Sequence, residues 1–362
     1  MRVALDEQIF TIQEYGGISR LFFELARQFE RHPELGVEVL PLASEIINRY
    51  VLEDRFLAER LQAHQAQGKY RALAKYLVRR NRRANAEIVH NTFYLPHGLL
   101  GYSGSRRVVT VHDMIPEMLP KTRRRLDMLT LKRKYIRDAD HIICVSAATR
   151  GDLLRIYPDT QAPISIVHHG VDPIFTPGVP RWSDLPEKYI LFVGNRGQYK
   201  DAQVLLKAFA QFTLEFPETT LLFVGGGSLS ANEKSLMHSL NIASKVRHRV
   251  LPDAEMSSAY GNALFTVFPS RFEGFGLPAL ESMASGTPTI LANATSLPEV
   301  GGEAAAYFTP GDSKELSQVM VGLASDPVLQ AQLSERGIAQ AAKFSWERCA
   351  KETANVYQQT LQ

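Results

Sequence analysis

The chain has 362 residues, of which 45% are hydrophobic and 22% charged, a balance typical of soluble globular proteins. This length is sufficient for two domains of ordinary size, and no apolar run approaches the length needed to span a bilayer. The 2 cysteines, Cys144 and Cys349, are too few and too far apart for a disulfide framework or a thiolate metal site. Because the chain enters a short strand at Arg2 without an apolar leader, we expect a cytoplasmic protein.

The positive charge is concentrated in the first half of the chain. Residues 1–180 contain 26 basic and 20 acidic side chains, for a formal charge of +6, whereas the remaining 15 basic and 18 acidic side chains give −3. The basic residues cluster in 71–83 and 121–137, which are interpreted equally well as solvated helix faces or as amphipathic helices that contact an anionic membrane. Nucleic-acid binding is disfavoured because no recognised nucleic-acid module accompanies the charge.

The first half alternates short apolar runs with helical patterns, which predicts an α/β domain with a parallel sheet. Gly16 and Gly17 separate the first strand from an amphipathic helix, a layout that suits phosphate binding, although most glycine pairs form plain turns. Residues 51–84 are interpreted as a long charged helical region. The predicted strands are residues 3–5, 37–42, 87–90, 107–111, 141–145 and 164–168.

Two short motifs in the first half of the chain, at residues 112–113 and 138–140, contain side chains that could act in catalysis or bind a metal. His112 follows the strand 107–111 directly, so it is better placed to meet a ligand than an isolated histidine, and whether Asp113 acts as a base towards an acceptor stays open. Asp138 and Asp140 match the Asp-x-Asp pattern that holds a divalent metal in other enzymes. We reject a metal site here because the triplet ends a basic helix and enters the strand 141–145.

The second half begins after a proline-rich linker at residues 169–180. The buried strand 189–194 is followed by Asn195, Arg196 and Lys200, and then by the helical pattern 204–216. Cations at the entrance of a helix are well placed to neutralise a diphosphate.

A second glycine turn supports a competing interpretation. Gly225 and Gly226, with Gly227, follow the strand 221–224 and nearly match the fingerprint of dinucleotide-binding proteins, which would make the chain a nicotinamide-dependent oxidoreductase. That fingerprint requires an acidic residue at the end of the next strand, where this chain has Arg247, His248 and Arg249. The oxidoreductase alternative is therefore weakened.

The most informative stretch follows the strand 264–268. Glu273 lies in a loop with Gly274 and Gly276, and Leu277-Pro278 opens a helix whose first N–H groups, from Phe275 to Leu277, suit a phosphate. Glu281 lies about one turn into that helix. Because an ionised carboxylate only accepts hydrogen bonds, sugar and ribose hydroxyls are its natural partners at a phosphate site.

The run Glu273-Gly-Phe-Gly-Leu-Pro-Ala-Leu-Glu281, with the small residues Met-Ala-Ser-Gly after it, resembles the signature of the retaining glycosyltransferases of family 4. The resemblance implies the α/β fold called GT-B, two Rossmann-like domains whose parallel sheets face a central cleft. It implies an acceptor domain at residues 1–175, a nucleotide-sugar domain at 176–344, and a terminal helix at 345–362 that crosses back to the first domain.

The resemblance also suggests a role for each candidate residue. Glu273 would hold sugar hydroxyls, Glu281 the ribose, His112 the transferred sugar, and Lys200 and Arg196 the leaving diphosphate. Asn195 stands where the family usually has arginine, and Arg196 is the next residue. The remaining candidates for the donor site are Gly16 and Gly17 over the phosphates, Phe275, Gly276 and Leu277 at the helix start, and Gly225, Gly226 and Asp253 beside the nucleotide. The resemblance implies that Asp253 lies in a loop at residues 252–256, next to the base.

The activity implied is transfer of a hexose to a glycan or lipid-linked acceptor, with mannose from GDP-mannose as the best choice. Glucose, galactose and rhamnose donors stay open, as does a non-catalytic module that only binds nucleotide sugars. No metal or other cofactor is expected, since cations and a helix dipole supply the counter-charge.

Overall fold

The computed structural model describes residues 1–42, 45–65, 85–96, 104–118 and 123–362. These residues form two compact units, the first made of Met1–Gly170 with Trp346–Gln362 and the second of Val171–Ser345. The terminal helix therefore belongs to the first unit.

The sheet of the first unit has six parallel strands in the order β2-β1-β3-β4-β5-β6 among the described residues. Because the chain runs from β1 outward to β2 and then returns to β3 on the other side of β1, the strand order reverses between β1 and β3. The strands are β1 (Arg2–Leu5), β2 (Glu38–Val39), β3 (Ile88–Asn91), β4 (Arg106–Val111), β5 (His141–Cys144) and β6 (Ile164–Ile166).

Helices cover this sheet. The terminal helix packs on the first helix through Phe29 and Tyr357, whose ring centroids are 6.0 Å apart, and the Tyr357 hydroxyl lies 2.7 Å from Nδ1 of the buried His90. The described helices are Gly17–Arg31, Arg49–Glu53, Arg55–Arg60, Ile115–Met118, Arg123–Arg137, Ala147–Ile156 and Trp346–Leu361.

The prediction of one long helical region at residues 51–84 was wrong where the structure describes it. Two short helices, Arg49–Glu53 and Arg55–Arg60, are separated at Asp54, whose Oδ1 accepts a hydrogen bond of 3.0 Å from the Leu57 N–H. An aspartate in this position begins a new helix by satisfying one of its unpaired N–H groups. Residues 66–84, and with them the whole first basic cluster at 71–83, lie outside the described residues.

The sheet of the second unit also has six parallel strands, in the order β12-β11-β10-β7-β8-β9. The chain runs outward from β7 to β9 and then returns to β10, so the strand order reverses between β7 and β10. The strands are β7 (Tyr189–Val193), β8 (Thr220–Val224), β9 (Val246–Arg249), β10 (Phe265–Phe268), β11 (Thr289–Ala292) and β12 (Ala306–Phe308).

Strands β7, β8, β10 and β11 consist mainly of buried β-branched and aromatic residues, as expected when helices cover both faces of a parallel sheet, whereas the edge strand β9 carries Arg247, His248 and Arg249. Helices of the second unit are Ala202–Phe212, Ala231–Ser239, Asp253–Gly261, Leu277–Ala284, Leu297–Gly301, Ser313–Ser325 and Pro327–Ala341. Ligands of open α/β sheets bind beyond the carboxyl ends of the strands where the order reverses. In this unit the expected ligand site is therefore formed by the loops that follow β7 and β10.

Candidate functional site

An ion pair joins the two loops at the strand reversal of the second unit. The Lys200 ammonium lies 2.6 Å from Oε1 and 2.8 Å from Oε2 of Glu273. Lys200 ends the short 3-10 turn Gln198–Lys200 after β7, and Glu273 lies in the loop after β10. The two side chains are only 16% and 12% exposed, so this pair is better shielded from solvent than an ordinary surface ion pair.

Main-chain hydrogen bonds hold the loop of Glu273 in place. The N–H of Glu273 donates to Thr295 Oγ1 at 3.0 Å, and Ser296 Oγ donates to the carbonyls of Glu273 and Phe275 at 3.1 and 2.8 Å. The N–H of Arg271 donates to the Tyr199 carbonyl at 2.8 Å, which ties this loop to the one that carries Lys200. Thr295 and Ser296 were not identified from the sequence.

Gly276 begins the helix that carries the second glutamate. Its φ of +112° lies in the left-handed region, and a Cβ there would come within 3.0 Å of Leu297 Cδ2, so glycine is strongly favoured on both grounds. The helix Leu277–Ala284 follows, with Pro278 in its first turn. Phe275 is buried, and its ring packs edge-on against Phe344 with centroids 5.9 Å apart. The prediction that a helix begins at Leu277-Pro278, directly after Gly276, is confirmed.

Glu281 is held by a partner that was not identified from the sequence. The Tyr260 hydroxyl donates a hydrogen bond of 2.8 Å to Glu281 Oε2. Tyr260 is completely buried in the helix Asp253–Gly261, and burial together with the neighbouring Glu281 carboxylate raises the pKa of its phenol well above the ordinary value. The phenol is therefore protonated and acts as a donor. The tyrosine lies 21 residues before the glutamate, on another helix, so no local sequence pattern links them.

The glycine turn after β8 is shaped by Arg196. Its guanidinium lies 2.6 Å from Glu233 Oε1 and donates to the carbonyls of Gly225 and Gly227 at 2.8 and 2.7 Å. The side chain is only 4% exposed. Through these contacts Arg196 stabilises the conformation of the turn. Its role towards a diphosphate stays a prediction.

Backbone geometry explains the glycines of this turn. Gly225, Gly226 and Gly227 have φ values of +81°, +72° and +72°, and a Cβ on Gly226 would lie 2.6 Å from the Cα of Asn195. Asn195 itself is exposed. The expectation of a loop at residues 252–256 was wrong, because the helix that contains Asp253 starts at that residue. Proline at the preceding position suits a helix start, since it has no N–H to leave unpaired.

In the first unit, Gly16 and Gly17 stand at the start of the helix Gly17–Arg31, as predicted. The side-chain amide of Gln13 lies against Gly16, where a Cβ would collide with it, and Gln13 Oε1 accepts a hydrogen bond of 3.0 Å from the Ser19 N–H. The close approach of this amide gives Gly16 a local reason to lack a side chain.

His112 lies just beyond the end of β4, as the sequence predicted. It is 8% exposed, and neither ring nitrogen has a hydrogen-bond partner among the described residues. Burial, followed by the nearby His169, lowers the pKa of His112 well below its usual value, so the ring is neutral. Asp113 Oδ1 accepts from the Ile115 N–H at 3.0 Å at the start of the next short helix, and its role as a base stays a prediction.

The acidic triplet at residues 138–140 has partners of its own. Asp140 accepts a hydrogen bond of 2.7 Å from the Arg107 N–H and forms an ion pair of 2.9 Å with Arg106, and Asp138 pairs with Arg137 at 2.9 Å. Within the described part of the chain, no group of three or more His, Cys, Asp or Glu side chains is arranged to hold a metal ion. No described helix combines the length and the apolar composition that a membrane span requires.

Comparison with known proteins identifies the family. Residues 15–175 match the family model "Glycosyltransferase Family 4", and residues 182–340 match "Glycosyl transferases group 1". O-antigen chain mannosyltransferase B of Escherichia coli is 30% identical over 280 residues, which cover 73% of this chain and 72% of that protein. The chain belongs to glycosyltransferase family 4.

Other relatives agree with this assignment. The family 4 chain is 29% identical over 300 residues to the MMP alpha-(1->4)-mannosyltransferase of Mycolicibacterium hassiacum, covering 77% of this chain and 72% of that protein. The solved structure of sucrose-phosphate synthase from Thermosynechococcus elongatus superposes with a TM-score of 0.78 at 20% identity, over 99% of this chain and 98% of that one. The predicted family and GT-B fold are confirmed, and the chain is a glycosyltransferase rather than a nicotinamide-dependent oxidoreductase.

Proposed function

We propose that this glycosyltransferase moves mannose from GDP-mannose, with retention of anomeric configuration, to a hydroxyl group of a glycan or lipid-linked glycan. The observation that carries the proposal is the Lys200–Glu273 ion pair beside the helix that bears Glu281, at the strand reversal of the second unit. Mannose is favoured because both relatives described above are mannosyltransferases.

Each part of this site has a task in the proposed reaction. The bond between the anomeric carbon and the leaving phosphate oxygen breaks, the acceptor oxygen bonds to the same face of the sugar, and the acceptor proton passes to the leaving phosphate. Negative charge builds up on the diphosphate, where Lys200 and the first N–H groups of the Leu277–Ala284 helix stabilise it. An ammonium has three N–H donors, so a phosphate oxygen and Glu273 can share Lys200.

The two glutamates recognise hydroxyl groups in this proposal. Glu273 accepts from the hydroxyls of the transferred sugar and Glu281 from those of the ribose, since ionised carboxylates form strong hydrogen bonds with such donors. Lys200 and the helix dipole supply the counter-charge to the diphosphate, so we propose that a divalent metal is not required.

Nucleotide release from a panel of donors tests this function. Purified protein is incubated with GDP-mannose, UDP-glucose, UDP-galactose or dTDP-rhamnose, each with a mannoside acceptor, and the released nucleotide is measured. GDP-mannose should be the donor consumed, and consumption should depend on the acceptor. Donor binding without nucleotide release, with any acceptor or with water, would instead support a non-catalytic binding module.

We also propose that the protein binds anionic lipid through the basic residues of 71–83 and 121–137, except Lys132, which is buried in an ion pair with Glu117. Each basic residue near an anionic surface contributes about 1 kcal/mol, so several together suffice for reversible, salt-sensitive attachment. Co-sedimentation with phosphatidylglycerol vesicles but not with phosphatidylcholine vesicles is expected at low salt. Equal, negligible binding to both would leave these residues without a role at a membrane.

A further inference from the structure

Tyr260 and Glu281 form a hydrogen bond between two helices of the second unit, as described above. We infer that Tyr260 is a positioning residue of the donor site, whose hydroxyl sets the orientation of the Glu281 carboxylate towards the ribose hydroxyls of the nucleotide. The inference rests on the proposed role of Glu281 as the ribose acceptor. Tyr260 itself does not touch the donor, because its side chain is completely buried.

Both the ring and the main chain of Tyr260 have defined contacts, which suits a positioning residue. Its ring packs edge-on against Phe175 with centroids 5.5 Å apart, and its main-chain carbonyl accepts a hydrogen bond of 2.7 Å from Thr287 Oγ1. Thr287 lies between the Leu277–Ala284 helix and β11. Tyr260 is therefore linked at its hydroxyl to the helix of Glu281 and at its carbonyl to the segment that follows that helix.

Glu281 needs such a partner because its last torsion is intrinsically free. The carboxylate torsion of glutamate has a broad, roughly twofold distribution, and the Glu281 side chain is half-buried. A donor fixed at 2.8 Å from Oε2 restricts that rotation. The carboxylate is then ordered before a ligand arrives, which lowers the entropic cost of binding.

A neighbouring tyrosine provides a matched control. Tyr189 is also completely buried, and its hydroxyl donates at 2.7 Å to the carbonyl of Ala259, the residue directly before Tyr260. The variants Tyr260→Phe and Tyr189→Phe each remove one buried hydroxyl. The Tyr260 hydroxyl is bonded to the helix Leu277–Ala284, and the Tyr189 hydroxyl is bonded to the helix Asp253–Gly261. Only Tyr260→Phe removes the contact with Glu281.

Calorimetry with two nucleotides distinguishes positioning from stability. GDP carries both ribose hydroxyls, and 2′,3′-dideoxy-GDP lacks them. Tyr260→Phe should weaken GDP binding roughly fivefold, the effect of about one hydrogen bond, and should leave the weaker binding of 2′,3′-dideoxy-GDP unchanged. Tyr189→Phe should change neither affinity. In a Glu281→Ala background, where the Tyr260 hydroxyl has no carboxylate to orient, Tyr260→Phe should cause a much smaller further loss.

Equal weakening of both nucleotides, or equal effects of the two tyrosine variants, would make Tyr260 a structural residue only and overturn the inference. The same measurements with UDP and 2′,3′-dideoxy-UDP test the positioning role of Tyr260 independently of the proposal that GDP-mannose is the donor. A ribose-dependent effect of Tyr260→Phe with UDP but not with GDP would support the positioning role while contradicting GDP-mannose as the donor.

Discussion

Lys200 and Glu273 are 73 residues apart in sequence, and the lysine ammonium contacts both carboxylate oxygens of the glutamate. The topology explains the contact, because β7 and β10 are neighbours in the sheet and the loops after their carboxyl ends meet. The pair places a cation and a hydroxyl acceptor side by side. In the proposed reaction the cation stabilises the leaving diphosphate and the carboxylate accepts hydrogen bonds from the sugar hydroxyls.

Lys200→Ala should lower kcat strongly and change folding stability less. A cation at the leaving group acts most strongly as negative charge develops, and loss of one such preorganised group typically reduces turnover by roughly 10²- to 10³-fold. Steady-state kinetics and urea unfolding of the same preparations measure the two effects.

The matched control is Lys207→Ala, since Lys207 is exposed on the Ala202–Phe212 helix that follows. Lys207→Ala should leave both quantities unchanged. A Lys200→Ala protein that unfolds more easily but keeps its activity per folded molecule would make Lys200 structural.

Arg196→Ala should destabilise the second unit. The substitution leaves Glu233 and the turn carbonyls without the guanidinium, and breaking a pair this well shielded costs about 3 kcal/mol of unfolding free energy. Arg196→Lys should rescue only part of the loss, because an ammonium cannot reproduce the planar fork of donors. Urea unfolding measures the change, with the exposed Arg336→Ala as control. Unchanged stability with weaker GDP binding would favour the diphosphate role that the sequence suggested.

Much of the fold and of the motif geometry was predictable because the signals are local. Strands buried on both faces read as apolar runs, and Gly276 with Pro278 marks a helix start whatever surrounds it. The partners of Arg196 and Glu281 were not predictable, since they lie 37 and 21 residues away on other elements. Packing of whole helices decides such contacts. Asp54 is an intermediate case, because an aspartate cap is a local signal and could have divided the predicted long helix.

The buried histidines of the first unit should make its stability depend on pH. Burial lowers the pKa of His90 and of His169 to about 3 from 6.5. Below pH 6.5 the unfolded chain therefore binds more protons than the folded chain, so acid favours unfolding. Each such histidine should lower the unfolding free energy by roughly 1.4 kcal/mol for each pH unit below that value.

Tryptophan fluorescence can follow this unit separately. The chain has 2 tryptophans, and Trp346 is the one in the first unit, so a Trp182→Phe variant reports on that unit. Urea unfolding should show that the unfolding free energy decreases as the pH is lowered from 7 to 5. The variant His90→Gln should make this dependence on pH less steep. An unchanged slope in His90→Gln would show that His90 does not remain neutral in the folded protein.

Transfer should persist in excess EDTA, because Lys200 and the start of the Leu277–Ala284 helix supply the charge that a metal would otherwise provide. Initial rates before and after chelation test this directly. Complete loss of activity, restored by Mg²⁺ or Mn²⁺, would contradict metal-independent transfer.

The stereochemistry and identity of the product test the central claim most directly. The protein is incubated with GDP-mannose, whose mannose is α-linked to phosphate, and a mannoside acceptor, and proton NMR follows the anomeric signals from the first minutes. Retention predicts an α-linked mannosyl product that accumulates together with GDP, and a Lys200→Ala protein should form it far more slowly. Initial formation of a β-linked product, or transfer from a different nucleotide sugar while GDP-mannose stays intact, would contradict the proposed activity.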